Sequence, residues 1–388
     1  MTDEGSPTEA GASQSRGIGH VRRLVVKVGT SSLVDTSGMA SPVRLAKVVR
    51  DVAGASDAGR RSCVLVSSGA IASGLAPLGL ARRPKAIPGL QAAAAVGQGR
   101  LMAEYGRLFA RRGLVAGQVL LTQDDFVRRR HFVNAQRTFE HLLAAGVVPV
   151  VNENDTVATE EISFGDNDRL AALVAVMIRA DLLVLLSDVD GIHTRDPRKG
   201  GRLVTEILDP LGVEASGAGS AVGQGGMASK LEAAGMATAA GIPTVVARAS
   251  CRGVLDRILA GEPLGTWLPA RAGRERARKA WMAFVAAPGG RIVVDAGAER
   301  AVRESGRSLL AAGVVTVHGT FAAGEIVEVA GPEGSPFARG ITNYSARELP
   351  KLAGRSTREL VTLRGGPYDK EVIHRDELVV TVVDRWKS

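Results

Sequence analysis

LLVLLS, at residues 182–187, is apolar at every position but the last. A strand of this kind has no polar face to turn toward water, so it must be covered on both sides, as in a parallel sheet flanked by helices. VRRLVVKVG (21–29), SCVLVSSG (62–69), VAGQVLLT (115–122), GVVPVVN (146–152) and IPTVVA (242–247) read as further strands of the same sheet. Helical spacing fills the intervals. SPVRLAKVVRDVAGASDAG (41–59) starts with Ser41 as N-cap and Pro42 at the first helical position. Further helices are expected at about 91–112, at 132–145 and at RLAALVAVMIRA (169–180). This alternation predicts an α/β class domain: three layers, α/β/α, with a mostly parallel central sheet and right-handed crossovers. Such sheets bind ligands beyond the carboxyl ends of their strands. The unusual polar stretches of this chain fall there, after residues 28, 67, 151 and 186.

Near residue 265 the pattern changes. A charged, helical-looking run, RAGRERARKAW (271–281), leads into short alternating segments separated by glycine turns, among them GRIVVDAGAERAV and GEIVEVAG. These predict a small β-rich domain over 283–380, after a linker at 266–282 and a first domain at 17–265. Residues 1–16, polar and without an apolar stretch, read as a disordered tail rather than a signal peptide. Two cysteines, far apart in sequence, fit a reducing cytoplasm and neither a disulfide framework nor a zinc site. No run approaches the roughly 20 apolar residues of a membrane span. The formal net charge of +9 raises nucleic acid as a partner. Lys and Arg are mostly dispersed, however, with local concentrations only at 128–130 and 271–279, and anionic substrates would also use part of this charge.

Three stretches carry anion chemistry. In KVGTSSL (27–33), Lys27 sits at the end of a buried strand, an expensive place for a charge unless an anion meets it. The backbone N–H groups around Gly29, Thr30 and Ser31 can converge on phosphate oxygens. SSGAIASG (67–74) offers small residues, Gly69 and Ala70, where a helix N-terminus can approach a carboxylate or phosphate. GQGGMASK (223–230) is a glycine loop that delivers Lys230 at a helix start; it is not a Walker A loop, because Ser229 precedes the lysine. The fourth stretch is VVPVVNENDTVATEEISFGDND (147–168), an apolar strand that breaks into Asn152, Glu153, Asn154 and Asp155, followed by Asp166, Asn167 and Asp168. Asp168 is also a good helix N-cap. Asn and Asp without His suit a hard ion such as Mg²⁺ bridged by nucleotide oxygens. The same groups beside lysines suit an ammonium group. In LLVLLSDVDGIHTRDPR (182–198), Ser187, Asp188 and Asp190 follow directly on an apolar strand.

Taken in order, VVKVGTSSL, VSSGAIASG, AAVGQGRLM, QVLLTQDDF, VVPVVNENDTVAT, FGDNDRLAALVA, LLSDVDGIHTRDPR and GQGGMASK resemble the glutamate 5-kinases of the amino-acid kinase superfamily over nearly all of 20–265. The C-terminal segment resembles a PUA domain. Ser187 and Gln224 stand where the family often has threonine. The resemblance implies phosphoryl transfer from ATP, with Mg²⁺ held mainly by the nucleotide and no direct protein ligand to it assigned, to the γ-carboxylate of L-glutamate, the first step of proline biosynthesis. It implies inhibition by proline, a homo-oligomer (dimer or tetramer), and glutamyl phosphate reductase as a further partner; RNA binding by the PUA-like segment, poor in aromatics for stacking bases, is not favoured and would be accessory at most. On this resemblance Lys27, Lys230 and Asp168 are catalytic, Asp168 orienting the two lysines. Ser68, Gly69, Ala70, Asp155 and Asn167 bind glutamate, Asp155 as partner of the α-ammonium. Lys27, Gly29, Thr30, Ser187, Asp188, Gln224, Gly225, Gly226, Met227, Ala228, Ser229 and Lys230 bind ATP.

Overall fold

The computed structural model describes residues 18–35, 38–57, 60–157, 167–195, 200–210, 226–270, 288–355, 359 and 371–380. The expected tail at 1–16 and the charged run at 271–281 lie outside them.

Seven strands form the first sheet: β1 (Arg23–Val28), β2 (Ser62–Ser67), β3 (Val115–Leu121), β4 (Val147–Glu153), β5 (Leu182–Ser187), β6 (Thr244–Arg248) and β7 (Thr266–Leu268). Their order is β3-β4-β2-β1-β5-β6-β7, parallel throughout except for the last pair. Alternate residues feed two cores, as the pleat requires. Leu24, Val26 and Val28 of β1, with Leu182, Val184 and Leu186 of β5, face α1 (Pro42–Ala55), α3 (Ile87–Ala110) and α8 (Val254–Leu259). Val25, Leu183, Leu185 and Val246 face α5 (Arg129–Ala144), α6 (Asn167–Met177) and α7 (Met227–Ala239). Residues 182–186 are each at most 1% exposed, and burial of such side chains contributes about 1.5–3 kcal/mol apiece. That is why a fully apolar strand sits at the centre of this sheet and not at an edge.

Ser41 caps α1, its hydroxyl accepting from the Arg44 N–H at 3.5 Å, with Pro42 in the first turn. Helix α3 starts at Ile87, earlier than its apolar spacing indicates, because Pro88 presets the backbone of the first turn. The antiparallel β7 extends the sheet past residue 265, where the spacing of apolar residues suggests an end. At three residues it is too short to show a period.

A second sheet of five strands has the order β12-β11-β10-β8-β9, with β8 at Gly290–Val294, β9 at Val314–Gly319, β10 at Ile326–Ala330, β11 at Pro336–Ile341 and β12 at Leu378–Val380. Ile292, Val294, Phe337, Leu349 and Val372 belong to its separate core. Among the described residues no helix is long and apolar enough to cross a membrane.

Candidate active site

Lys27 shares the parity of Val25, so its side chain leaves β1 on the α6/α7 face of the sheet. There it meets Asp168, in the first turn of α6, with Nζ 2.6 Å from Oδ1. Lys230, in the first turn of α7, reaches the other oxygen of the same carboxylate at 2.8 Å. Three elements distant in sequence therefore converge on one carboxylate. Asp168 is fully buried, and Lys27 and Lys230 are 2% and 7% exposed. Lys230 Nζ also donates to the Gly226 carbonyl at 3.1 Å, and the Ser229 hydroxyl donates to Asp168 Oδ2 at 3.3 Å. Two buried ammonium groups thus share this carboxylate, an arrangement suited to meeting the negative charge of an anionic ligand.

Beside this triad opens a cleft of about 380 Å³ lined in part by Thr30, Ser68, Gly69, Ala70, Asn152, Asp155 and Asn167. Gly69 caps the short helix α2 (Ala70–Leu75) at φ +106°, a conformation open to glycine at little cost. Helices α2 and α3 are in backbone contact. A Cβ on Gly74 would stand 1.9 Å from the Ala93 carbonyl oxygen, and one on Gly97 1.8 Å from that of Ala70. This fixes the Ser68–Ala70 corner against α3. Asn167 Nδ2, with two hydrogens to donate, lies 2.9 Å from Ser68 Oγ, 2.9 Å from Asn152 Oδ1 and 3.3 Å from the Ser67 carbonyl. Burial pushes the Asp155 carboxyl above the usual carboxylate range, while the positive charge of Arg83 pulls it back in part.

At the level of the whole chain, the amino acid kinase family model matches residues 22–248 and the PUA domain model residues 290–363. The glutamate 5-kinase of Streptomyces coelicolor is 53% identical over 96% of this chain and 99% of its own length. Those of Salinispora arenicola and Carboxydothermus hydrogenoformans are 52% and 48% identical, covering 92% and 93% of this chain and 98% of each relative. The chain belongs to the glutamate 5-kinase family. The UMP kinase of Bacillus anthracis is a far more distant likeness, 17% identical with a TM-score of 0.47 over 65% of this chain and 97% of that one; at that distance it says nothing about the site.

Within this member of the glutamate 5-kinase family, the described residues expected at a nucleotide follow the ends of β1 and β5 or open α7. Gly29 and Thr30 begin a 3₁₀ turn directly after β1. Ser187 ends the neighbouring β5, its hydroxyl donating to Asp188 Oδ1 at 3.1 Å, and Asp188 is exposed. Gly226 caps α7 at φ +140°, and Met227, Ala228 and Ser229 make the turn that carries Lys230. Gln224 and Gly225 lie outside the described residues. No three His, Cys, Asp or Glu side chains among the described residues could together hold a metal ion, and Asp168 is already shared by two lysines. The Cys63 thiol, pushed up to about 11 by burial, is no nucleophile.

Three groups in the cleft lining or bonded next to it are given no role by the sequence reading. Arg83 comes from an irregular segment, and Gln98 is a polar residue on an otherwise ordinary helix. Tyr105 donates or accepts at 2.7 Å with Ser67 Oγ beneath the cleft, and burial raises its phenol so that it stays neutral. Asn152 stands out in the sequence as a polar break in an apolar strand, but its partners become visible only in the fold.

Proposed function

We propose that this chain transfers the γ-phosphoryl group of ATP to the γ-carboxylate of L-glutamate in the cytoplasm, the first step of proline biosynthesis, and that proline feeds back to inhibit it. The observation that carries the reading is one fully buried carboxylate, Asp168, holding both Lys27 at 2.6 Å and Lys230 at 2.8 Å. A ready pair of ammonium groups beside a polar cleft suits a reaction in which one anion attacks another. Such transfer depends mainly on alignment and charge neutralisation. The γ-carboxylate is already ionised at neutral pH, so its oxygen attacks phosphorus without a base. The new P–O bond forms as the bond to the β-phosphate bridging oxygen breaks, and ADP leaves with those electrons.

In this scheme Lys27 meets the phosphoryl group in transit and Lys230 the β/γ oxygens of the leaving nucleotide, both as preorganised electrostatic stabilisers. Asp168 holds them apart and aimed. Ser68, Gly69 and Ala70 receive a substrate carboxylate, Asp155 and Asn167 bind the amino-acid end, and Gly29, Thr30, Ser187, Asp188 and residues 224–230 bind ATP. Mg²⁺ carried on the nucleotide supplies further neutralisation of phosphate charge when bound. A homo-oligomer and association with glutamyl phosphate reductase extend the same proposal.

The test is ATP-dependent acyl phosphate formation, trapped with hydroxylamine, with glutamate, N-acetylglutamate and aspartate as alternative acceptors. Trapped product with glutamate and far less with the other two is expected. A preference for N-acetylglutamate or aspartate would overturn the substrate assignment.

A further inference from the structure

Asn167 is held by a chain of amides that starts outside the residues assigned to the site. Gln98, on α3, accepts with Oε1 from Asn152 Nδ2 at 3.0 Å. This turns Asn152 so that its Oδ1 accepts from Asn167 Nδ2 at 2.9 Å. Asn167 Nδ2 has only two hydrogens, and Ser68 Oγ and the Ser67 carbonyl also lie within reach of it. The donor end of Asn167 is therefore committed to the protein. Because Asn167 lines the cleft, the atom its amide has left to offer a ligand is Oδ1, an acceptor.

The anchor of this chain is rigid. Gly97, the residue before Gln98, lies so close to the Ala70 carbonyl that no side chain fits between α2 and α3. Asn152 is 3% exposed at the end of β4, where a mis-turned amide has little water to fall back on. If the Gln98 acceptor were lost, Asn167 alone would hold the orientation of Asn152. In the flipped orientation the Asn152 nitrogen would oppose the nitrogen of Asn167, donor against donor, leaving Asn167 only its contacts to Ser67 and Ser68 to keep its oxygen toward the cleft.

We propose that Gln98 is a positioning residue: acting through Asn152, it fixes Asn167 with its oxygen toward the cleft, so that Asn167 Oδ1 and the Asp155 carboxylate together read a cationic group on the substrate. Resting on the glutamate reading above, this assigns the α-ammonium to those two acceptors. The carboxylate beside it falls to the Ser68–Ala70 corner.

The test compares Gln98→Glu, which keeps an acceptor, with Gln98→Met, which keeps the shape and removes it, and with Gln98→Lys, which offers only donors. Initial rates of acyl phosphate formation are measured with glutamate, and with glutarate, which lacks the α-ammonium. In the Met and Lys variants the glutamate KM rises about tenfold, the ATP KM stays within twofold, and the preference for glutamate over glutarate falls about tenfold. Gln98→Glu stays within threefold of the unaltered chain on all three readouts. A role in packing alone predicts the opposite ranking, with Met tolerated and Glu not, and that ranking would overturn the proposal. So would unchanged glutamate constants in both the Met and Lys variants; if one of the two fails to fold, the constants of the other decide the matter alone. If the unaltered chain forms no acyl phosphate with glutamate, the kinase reading fails first and the ammonium assignment falls with it.

Discussion

Asp168→Asn removes one negative charge and almost no volume, yet it alters the most heavily coupled point in the molecule. The carboxylate is fully buried and lies 2.6 Å and 2.8 Å from two lysines that are themselves 2% and 7% exposed. The amide deprives both buried ammonium groups of the negative charge they share. Removing one partner of a buried ion pair typically costs about 3–5 kcal/mol, mostly as the cost of the charge left behind. For a domain of this size that corresponds to a fall in melting temperature of roughly 6–20 °C. Phosphate oxygens can replace the missing charge, so ADP should raise the melting temperature of Asp168→Asn more than that of the unaltered chain. Removing one of the stranded lysines should help as well, so Asp168→Asn/Lys230→Met should be more stable than Asp168→Asn alone. Thermal melts of the three proteins, with and without ADP, read all of this directly. A loss below about 1 kcal/mol for Asp168→Asn, or a double variant less stable than the single one, would refute the reasoning from stranded charge.

Lys27→Ala and Lys230→Ala should each lower turnover by at least ~100-fold in the hydroxylamine assay, as for loss of one preorganised donor; near-normal turnover in either would remove that lysine from its role. Asp155→Ala should raise the glutamate KM with much less effect on ATP, and the reverse pattern would place Asp155 elsewhere. Burial raises the Asp155 carboxyl, so its charge is lost as pH falls through a value above the ordinary 3.8. The glutamate KM should therefore begin to climb on acidification before an unperturbed aspartate would protonate, and Asp155→Asn should flatten that limb of the profile. Gly97→Ala should destabilise the chain by about 1–3 kcal/mol, as overpacking does, because its Cβ would stand 1.8 Å from the Ala70 carbonyl oxygen. Chemical denaturation measures the loss, and a rise in glutamate KM would accompany it through the displaced Ser68–Ala70 corner.

Much of the first domain can be read from residues alone, and the reasons are specific. LLVLLS is apolar on both faces because it pairs with β1 on one side and β6 on the other, under helices above and below. Lys27 stands out because a charge at the end of a buried strand demands a partner, and the fold supplies Asp168. Other features depend on contacts between elements. Gln98 lies within AAVGQGRLM, one of the stretches that carry the family resemblance, but no role is legible there; its contact with Asn152 emerges only in the fold. Arg83 comes from a segment without period, and its influence on Asp155 is a matter of tertiary proximity. The strand at Thr266–Leu268 is too short to show alternation, so the sheet ends later than its sequence pattern suggests.

The central claim is that two lysines held by one aspartate act on the same phosphoryl group while the neighbouring cleft holds a free amino acid. The most direct measurement is a crystal structure of the chain with ADP, Mg²⁺ and glutamate. The account predicts both ammonium groups within ion-pair distance, about 4 Å, of phosphate oxygens, with Asp168 still bridging them and the α-ammonium of glutamate against Asp155 and Asn167. A nucleotide that only one lysine can reach, or glutamate bound away from the Asp155–Asn167 cleft, would contradict it.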